Sequence, residues 1–373
     1  MQRLVPRMAG ILALVGLMFH GMTPGSASAE SRSGNEDMVF SYSIGSDRLL
    51  FNGMGQLSDV QSGVGQPESF ILYMQDLKTG AKTKVFEVLN GILGNSAISP
   101  SGTTIAVQVN DYRGDVSANP RLLVLTPEGK EITAFAKSRD FAWSPDSRFL
   151  AYTAGEWVST YTFQSSGTWL YDQTFKTTTK IFDTGDFVAW SPADKSLYIW
   201  SWPSGVRILR FDPRTQQVME TKQRGIFFSP SGRYYHASIP KYNEGSVEVY
   251  DAQSNQPVLS HRPRLASVLP PARIVGWASE GDVLILEVNR QDLASEQYPQ
   301  GRVDTVLYDV AHDIARVIVD DSVIGLQHGQ AILHDRGKFT KRPLSSLPLL
   351  PERPEKPEKP DKPPEQPVAP SKP

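Results

Sequence analysis

Four charged residues stand at the same distance before a turn that recurs along this sequence. Arg139, Asp186 and Arg224 each lie six residues before the proline of a Ser-Pro pair. Arg273 lies six residues before Ser279, which takes the place of the proline in a weaker copy of the turn. Equal offsets within a repeat predict equivalent positions in the folded chain, so we expect the four side chains to converge. Three guanidinium groups near one carboxylate predict a carboxylate-bearing or otherwise anionic ligand.

Aromatic residues outside the recurring turns are expected to supply apolar contact for such a ligand. Trp157, Tyr161 and Trp202 fall between strand-like runs, where we expect loops on the face that also carries the charged residues. Aromatic side chains beside arginine are typical of binding surfaces. The sequence leaves one alternative open, in which these are ordinary polar loops whose aromatic rings fold inward.

The sequence offers little for covalent or metal chemistry. It contains no Gly-x-Ser-x-Gly nucleophile elbow, no His-Glu-x-x-His and no Gly-x4-Gly-Lys-Ser/Thr phosphate loop. The absence of cysteine excludes thiol nucleophiles, thiolate metal sites and disulfides. The histidines after residue 29 are His236, His261, His312, His328 and His334. No two of them have the sequence spacing of paired metal ligands on one strand or helix. We therefore predict no catalytic residue, no metal ligand and no cofactor.

The turn belongs to a longer phrase that recurs four times. An apolar or aromatic pair is followed by Ser-Pro and a short polar stretch, at Ala97–Gly102, Ala142–Ser147, Ala189–Asp194 and Phe227–Gly232. The prolines are 45, 47 and 38 residues apart, a period that is typical of stacked supersecondary units. Further strand-like runs follow each turn, so that each unit is predicted to contain four strands.

Repeats of four strands predict an all-β fold, a β-propeller with one blade per repeat. Six four-stranded blades are the favoured count and seven the alternative, because the segment Val323–His334 is left over. This segment would either close the ring against the first blade or belong to a seventh blade. The tryptophans inside the recurring turns, Trp143, Trp190 and Trp277, are interpreted as packing residues between blades.

At these turns the chain resembles the TolB-like β-propeller repeat, in which an aromatic or apolar residue precedes Ser-Pro-Asp-Gly and an apolar strand follows. The resemblance covers residues from about 40 to 335. It implies the propeller fold and a role as a platform for protein docking. The short distance between the N-terminal segment and the first repeat leads us to expect a free-standing propeller.

The two ends of the sequence differ from the repeats. Arg3 and Arg7 precede the apolar run Met8–Phe19, and the small residues Ala27–Ala29 follow. This order predicts a signal peptide at residues 1–29 and a secreted or periplasmic protein. The propeller is expected at 30–342 and a proline- and charge-rich tail at 343–373. Proline recurs every third residue from Pro351 to Pro363, which predicts polyproline II structure or disorder for the tail.

Charge narrows the choice of partners. The net charge is -2 at pH 7, and residues 1–29 carry two arginines and no acid, so that their removal leaves -4. Such mild acidity predicts no attraction to nucleic acid or to an anionic membrane, and we expect a monomer that is not inserted in the membrane after cleavage.

The favoured hypothesis is an exported, non-enzymatic propeller that binds or docks a protein or cell-envelope polymer, possibly anionic, through one loop face. Two alternatives remain at this stage. One is an extracytoplasmic propeller enzyme, a lyase or hydrolase with its site at the mouth of the central channel. The other is a purely structural scaffold. An enzyme needs acid, base or metal-ligand groups within reach of each other at the channel, whereas a binding module needs exposed aromatic rings and matched charge.

Overall fold

The computed structural model describes residues 39–45, 47–54, 69–89, 91–111, 120–159, 162–201, 207–236, 248–258, 272–290, 302–318, 322–335 and 338–350. Within them the chain forms seven antiparallel sheets, each built from consecutive strands that pair in the order of the sequence. Apolar clusters join the sheets to their neighbours. This arrangement is a β-propeller, and the expected all-β fold is confirmed.

The strands are numbered in chain order. Blade 1 contains β1 (Val39–Gly45), β2 (Arg48–Met54), β3 (Ser69–Asp76) and β4 (Lys82–Leu89). Blade 2 contains β5 (Gly91–Ile98), β6 (Ile105–Asp111), β7 (Pro120–Leu125) and β8 (Glu131–Ala136). Blade 3 contains β9 (Ser138–Trp143), β10 (Phe149–Ser159), β11 (Thr162–Asp172) and β12 (Thr177–Phe182). Blade 4 contains β13 (Phe187–Trp190), β14 (Leu197–Ser201), β15 (Arg207–Asp212) and β16 (Gln217–Glu220).

The last three blades complete the ring. Blade 5 contains β17 (Phe227–Phe228), β18 (Tyr234–His236) and β19 (Val249–Asp251). Blade 6 contains β20 (Ala272–Trp277), β21 (Val283–Arg290), β22 (Arg302–Asp309) and β23 (Ile314–Ile318). Blade 7 contains β24 (Ser322–Gln327), β25 (Gln330–Asp335) and β26 (Lys338–Pro343), followed by a short 3-10 helix at Leu344–Ser346.

The recurring turn is closed by its serine and by a residue with positive φ. In blade 3 the Ser147 N–H donates to the Ser144 carbonyl oxygen at 2.9 Å, and the Phe149 N–H donates to Ser144 Oγ at 2.8 Å. Ser147 has a φ of 63°, and the equivalent Gly102 and Gly232 have 74° and 73°. Glycine adopts this left-handed conformation without a steric penalty, which explains its recurrence at the end of the phrase.

Each such turn joins the first and second strands of its blade. We call the side of the ring that carries these turns the turn face. The chain must then cross between blades, and between second and third strands, on the opposite side, which we call the loop face. The inner strands therefore run from the loop face to the turn face.

The tryptophans of the recurring turns pack between blades, as the sequence predicts. The indole N–H groups of Trp143, Trp190 and Trp277 donate to the carbonyl oxygens of Ala97, Ala142 and Phe227 at 3.3, 3.1 and 2.8 Å. Each acceptor lies two residues before the serine of the preceding blade. This repeated hydrogen bond satisfies a buried donor and sets the register between neighbouring blades.

The favoured expectation of six four-stranded blades is wrong, because the described residues form seven blades. Val323–His334 belongs to a sheet of its own, in which β26 is the third strand. Blade 1 already builds four strands from the N-terminal side, so it needs no strand from the end of the chain. Blades 5 and 7 have three strands each within the described residues.

Side chains alone close the ring between blades 1 and 7 in the described part of the chain. Phe51 and Phe339 lie edge to face with centroids 4.9 Å apart, in a cluster with Leu49, Ile324 and Ile332. Asp47 accepts hydrogen bonds from the Gln327 amide at 2.5 Å and contacts His328 Nε2 at 2.9 Å. No sheet of the described residues combines strands from both ends.

The residues after β26 turn back to blade 6. The Val317 N–H donates to the Pro348 carbonyl oxygen at 3.0 Å, and the Leu350 N–H donates to the Ala315 carbonyl oxygen at 2.9 Å. Leu349 forms a bridge with Arg316 of β23, and Leu347 is buried. Residues 344–350, which the sequence bounds place in the tail, thus lie along the outer edge of blade 6.

Candidate functional site

The expected site lies where the inner strands of blades 3 to 6 begin. These strands end on the turn face, so that their first residues lie on the loop face beside the central axis. Arg139 and Arg273 are the second residues of β9 and β20, and Asp186 immediately precedes β13. Arg224 lies three residues before β17.

The structure brings Arg139 and Asp186 together across the boundary between blades 3 and 4. Arg139 Nη1 lies 3.3 Å from Asp186 Oδ1, and the two side chains are 19% and 11% exposed. The guanidinium carbon lies 4.8 Å from the centre of the Phe187 ring. A partly buried ion pair with one aromatic face has less competition from water than a pair on an exposed rim.

Asp140 is the functional candidate that the sequence analysis missed. Its Oδ2 accepts the Val188 N–H at 2.8 Å, which ties β9 to β13, and its side chain is buried. Burial raises the pKa of Asp140 to about 7, against the lowering effects of the Val188 hydrogen bond and of Arg139. Burial also lowers the pKa of Arg139, while Asp186 and Asp140 raise it. The position of Asp140, directly after Arg139, is the only sequence signal for it.

Arg224 lies apart from this pair among the described side chains. Its Nη1 donates to Tyr250 Oη at 3.4 Å, and its guanidinium carbon lies 5.6 Å from the centre of that ring. Tyr250 in turn donates to Glu248 Oε2 at 2.8 Å. Because Tyr250 belongs to the third strand of blade 5, Arg224 is held away from the inner strand.

The remaining predicted residues are less completely described. Tyr161 and Trp202 lie outside the described residues, and the side chains of Trp157 and Arg273 do so too. On the backbone, Trp157 pairs with Phe163 and Arg273 pairs with Glu287. The described side chains therefore bring together one pair of the seven expected residues, Arg139 and Asp186.

His236 is a second buried polar group near the loop-face end of blade 5. Its ring lies between those of Phe227 and Trp277, with centroids 4.9 and 6.2 Å away. Its Nδ1 has no hydrogen-bond partner among the described residues. Burial lowers the pKa of His236 to about 3, so the imidazole is neutral at physiological pH.

The described residues contain no group of three or more histidine, aspartate or glutamate side chains that could hold a metal ion. None of their helices has the length and apolar character needed to cross a membrane.

Comparisons with known proteins support the fold. No protein-family model matches the chain, and no curated protein matches its sequence. The propeller domain of the trilobed protease from Pyrococcus furiosus, described as having an open velcro topology, superposes with a TM-score of 0.51 at 12% identity. That match covers 80% of this chain and 91% of that chain.

Two further structures are similar. Pyrococcus horikoshii acylaminoacyl peptidase matches with a TM-score of 0.52 at 11% identity. That match covers 80% of this chain and 49% of the peptidase chain, so this chain spans about half the length of the peptidase. The match to TolB from Acinetobacter baumannii covers 59% of this chain and 53% of the TolB chain at 16% identity. Its TM-score is 0.38, which is too low to establish a shared fold. At these identities the likeness concerns architecture alone, and it agrees with the sheets described above: the chain is a β-propeller.

Proposed function

We propose that this chain is an exported, non-enzymatic β-propeller that binds a protein or a cell-envelope polymer through its loop face. The observation that carries the proposal is the Arg139–Asp186 pair, which spans two blades where their inner strands begin. An arginine that is held by a carboxylate and by an aromatic ring loses little freedom when it binds an anionic group. Arginine and aromatic side chains of this kind dominate the energy of many protein interfaces.

Export and the TolB-like relationship form part of the same proposal. They are supported by the N-terminal sequence, with its basic, apolar and small-residue segments, and by the recurring Ser-Pro turns. N-terminal sequencing of the secreted protein is expected to give Glu30 as the first residue. Material that still begins at Met1 would contradict export by cleavage.

The alternative is a propeller enzyme with its site at the channel mouth, and one observation favours it. Asp140 has a pKa of about 7 beside Arg139, and a carboxyl group that titrates near neutrality suits general acid or base catalysis. Against this alternative, Asp140 is buried and its Oδ2 already accepts the Val188 N–H. The hydrogen bond between neighbouring blades gives Asp140 a structural role.

The binding proposal is tested by retention of the mature protein on an immobilised envelope fraction. Arg139→Ala is expected to weaken retention by about tenfold or more, because a ligand carboxylate loses a charge-assisted hydrogen bond. Ser101→Ala on the turn face is the control and is expected to leave retention unchanged. Equal retention of the Arg139→Ala and Ser101→Ala variants would overturn the assignment of the loop face.

A further inference from the structure

Blade 7 has an open outer edge. Its last strand, β26 (Lys338–Pro343), pairs with β25 alone among the described residues, whereas blades 1, 2, 3, 4 and 6 each have a fourth strand at this position. Blade 5 also has three described strands, but the chain after β19 returns to that strand at a bridge between Tyr250 and Pro257. All residues of β26 except Pro343 keep a backbone N–H, so its outer edge offers donors and acceptors to a further strand.

The C-terminal residues are poor candidates for this edge. Residues 344–350 turn away from β26 and lie along β23 of blade 6, where the Leu350 N–H donates to the Ala315 carbonyl oxygen at 2.9 Å. The tail that follows, 351–373, has proline at every third position up to Pro363. Each of these prolines lacks the N–H that strand pairing uses.

The connections between blades indicate the N-terminal side instead. Each fourth strand in the described residues is the outer strand of its blade, contains four to eight residues, and is linked to the inner strand of the next blade by one to six residues. β1, which begins at Val39, is the inner strand of the blade next to blade 7. With the same connection, a fourth strand of blade 7 would end between residues 32 and 37. The segment 30–38 is therefore long enough to supply the strand and its connection.

Net charge favours the same segment. Residues 322–343 of blade 7 carry four bases and one acid, a net charge of +3. The segment 30–38 carries one base and three acids, a net charge of -2, from Arg32, Glu30, Glu36 and Asp37. Opposite charges on neighbouring strands stabilise their pairing, so this segment suits the β26 edge.

The described contacts leave the positive charge of β26 without a nearby acid at Lys341. Its Nζ donates to two uncharged acceptors, the Leu77 carbonyl oxygen at 2.7 Å and Gln327 Oε1 at 3.4 Å. Asp47, the acid of blade 1 that contacts blade 7, is itself paired with Lys78. Among the described residues no carboxylate neutralises Lys341.

Outer strands of this propeller need little apolar content. Residues 177–180 of β12 are all exposed, and β8 buries none of its six residues. The segment 30–38 has one large apolar residue, Met38, and no proline. Backbone hydrogen bonds and charge pairs, rather than apolar burial, would hold such a strand.

We propose that residues 30–38 pair with β26 as the fourth, antiparallel strand of blade 7, so that main chain from the N-terminal side joins the last blade to the first. Side chains already join these blades at the contact between Phe51 and Phe339. A shared sheet adds backbone hydrogen bonds across the same boundary, and its strand continues directly into β1. Residues 30–38 precede β1 whether or not the chain is cleaved after Ala29.

Engineered disulfides test the pairing directly, because the chain contains no cysteine. Opposed residues on antiparallel strands have Cα atoms about 4.5 to 5.5 Å apart, within the range of a disulfide. Thr340→Cys is combined in the full chain with one of six second substitutions, and cross-linking under mild oxidation is followed by non-reducing electrophoresis and peptide mass spectrometry. The six are Ser31→Cys, Arg32→Cys, Ser33→Cys, Gly34→Cys, Asn35→Cys and Glu36→Cys.

We expect one of the six positions to cross-link at least about tenfold faster than its two neighbours, because neighbouring side chains point to opposite faces of a strand. The matched control replaces Thr340→Cys by Thr178→Cys, which is also an exposed threonine on an outer strand, in blade 3. Its cross-linking is expected to be slower by at least about tenfold at every position.

Hydrogen exchange tests the contribution of charge. The variant E36K/D37K is expected to speed amide exchange in β26 by at least about tenfold, because like charges then face each other across the strand pair. The variant D361K/E365K makes the same charge change in the tail and is expected to alter exchange in β26 by less than about twofold.

Three results would each overturn the proposal. They are cross-linking of Thr340→Cys that is no faster than that of Thr178→Cys, equal cross-linking at all six positions, and unchanged exchange of β26 in E36K/D37K. Truncation after residue 350 is expected to leave exchange in β26 within about twofold of the full chain. A rise of about tenfold on that truncation would identify the tail as the fourth strand and also overturn the proposal.

Discussion

Asp140 and Arg139 are adjacent in sequence but have different surroundings. The guanidinium of Arg139 lies between Asp186 and the Phe187 ring and remains partly exposed. The carboxyl group of Asp140 is buried, and a backbone N–H of the next blade is its partner. The backbone hydrogen bonds from Val188 and Phe141 and the nearby Arg139 cation do not compensate for lost hydration, so the pKa of Asp140 rises.

This raised pKa predicts how stability depends on pH. The folded-state pKa of about 7 exceeds the ordinary value of 3.8, so between about pH 4 and 7 the folded chain retains a proton that the unfolded chain has lost. The contribution of Asp140 to stability therefore falls as pH rises through this window. Asp140→Asn keeps an acceptor for the Val188 N–H and removes the titration.

We expect the urea midpoint of Asp140→Asn to rise relative to the wild type between pH 4.5 and 7.5. The measurement is equilibrium unfolding at several pH values in this interval. If the urea midpoints of the two proteins change with pH in parallel, Asp140 does not titrate in this pH interval.

His236 has the opposite pH dependence. Its folded-state pKa of about 3 lies below the ordinary 6.5, so the unfolded chain binds the proton first as pH falls. Stability is then lost between about pH 6.5 and 3. His236→Phe removes both the titration and the Nδ1 atom that has no partner in the described residues.

The His236→Phe variant is expected to gain more stability over the wild type at pH 5 than at pH 8. The change in unfolding free energy at pH 8 measures any packing cost of the larger phenylalanine ring. The difference between the changes at pH 5 and pH 8 measures the effect of protonating His236. An equal change in stability at pH 5 and pH 8 would contradict the lowered pKa of His236 in the folded protein.

At the scale of strands, repeated turns were predictable and irregular blades were not. The positions of Trp143, Trp190 and Trp277 follow from their register in the phrase, because one hydrogen bond to the preceding blade recurs. β26 was missed because three of its six residues, Lys338–Pro343, are charged, because it ends in proline, and because no Ser-Pro turn precedes its blade. Composition alone does not mark such an edge strand.

Equal sequence offsets did not guarantee equal positions. Arg139 lies within β9, a strand of six residues, whereas β17 consists of Phe227 and Phe228 alone. Arg224 therefore falls in an irregular segment and turns to Tyr250 of its own blade. The prolines of blades 4 and 5 are 38 residues apart, against 45 and 47 elsewhere, and this shorter spacing was the available signal.

Residues 344–350 predict different effects for two truncations. Ending the chain after residue 350 is expected to change the melting temperature by no more than about one degree, because the removed segment has no apolar pattern. Ending it after residue 343 removes buried Leu347 and uncovers β23. Burial of one leucine contributes about 2 kcal/mol, so we expect a fall of about 4 °C or more.

Differential scanning calorimetry of the two truncated proteins checks this expectation. Equal falls would mean that the tail itself docks on the propeller. No change in either protein would mean that residues 344–350 contribute nothing to blade 6.

At the scale of the ring, the junction of blades 1 and 7 depends on a few contacts. Asp47 joins Lys78 of its own blade to Gln327 and His328 of the last blade. Asp47→Ala is therefore expected to speed amide hydrogen exchange in β24 to β26 and in β1 and β2, with little change in β9 to β11.

Asp183→Ala is the control, since the Asp183 side chain is 92% exposed and, among the described residues, pairs only with Lys180, three residues before it in the chain. If Asp47→Ala speeds amide hydrogen exchange equally in all blades, the junction of blades 1 and 7 is no weaker than the other boundaries between blades.

Within the described residues blades 1 and 7 share no strand, and this also constrains the order of folding. Every blade consists of neighbouring strands, so each can form soon after its residues leave the ribosome or a translocon, at a small cost in loop entropy. The contact between Asp47 and Gln327 spans 280 residues and comes last. Until then the protein is an open arc with apolar residues uncovered at both ends, Leu49 at one and Ile332 at the other. The interval before these ends meet is when this chain is most exposed to aggregation.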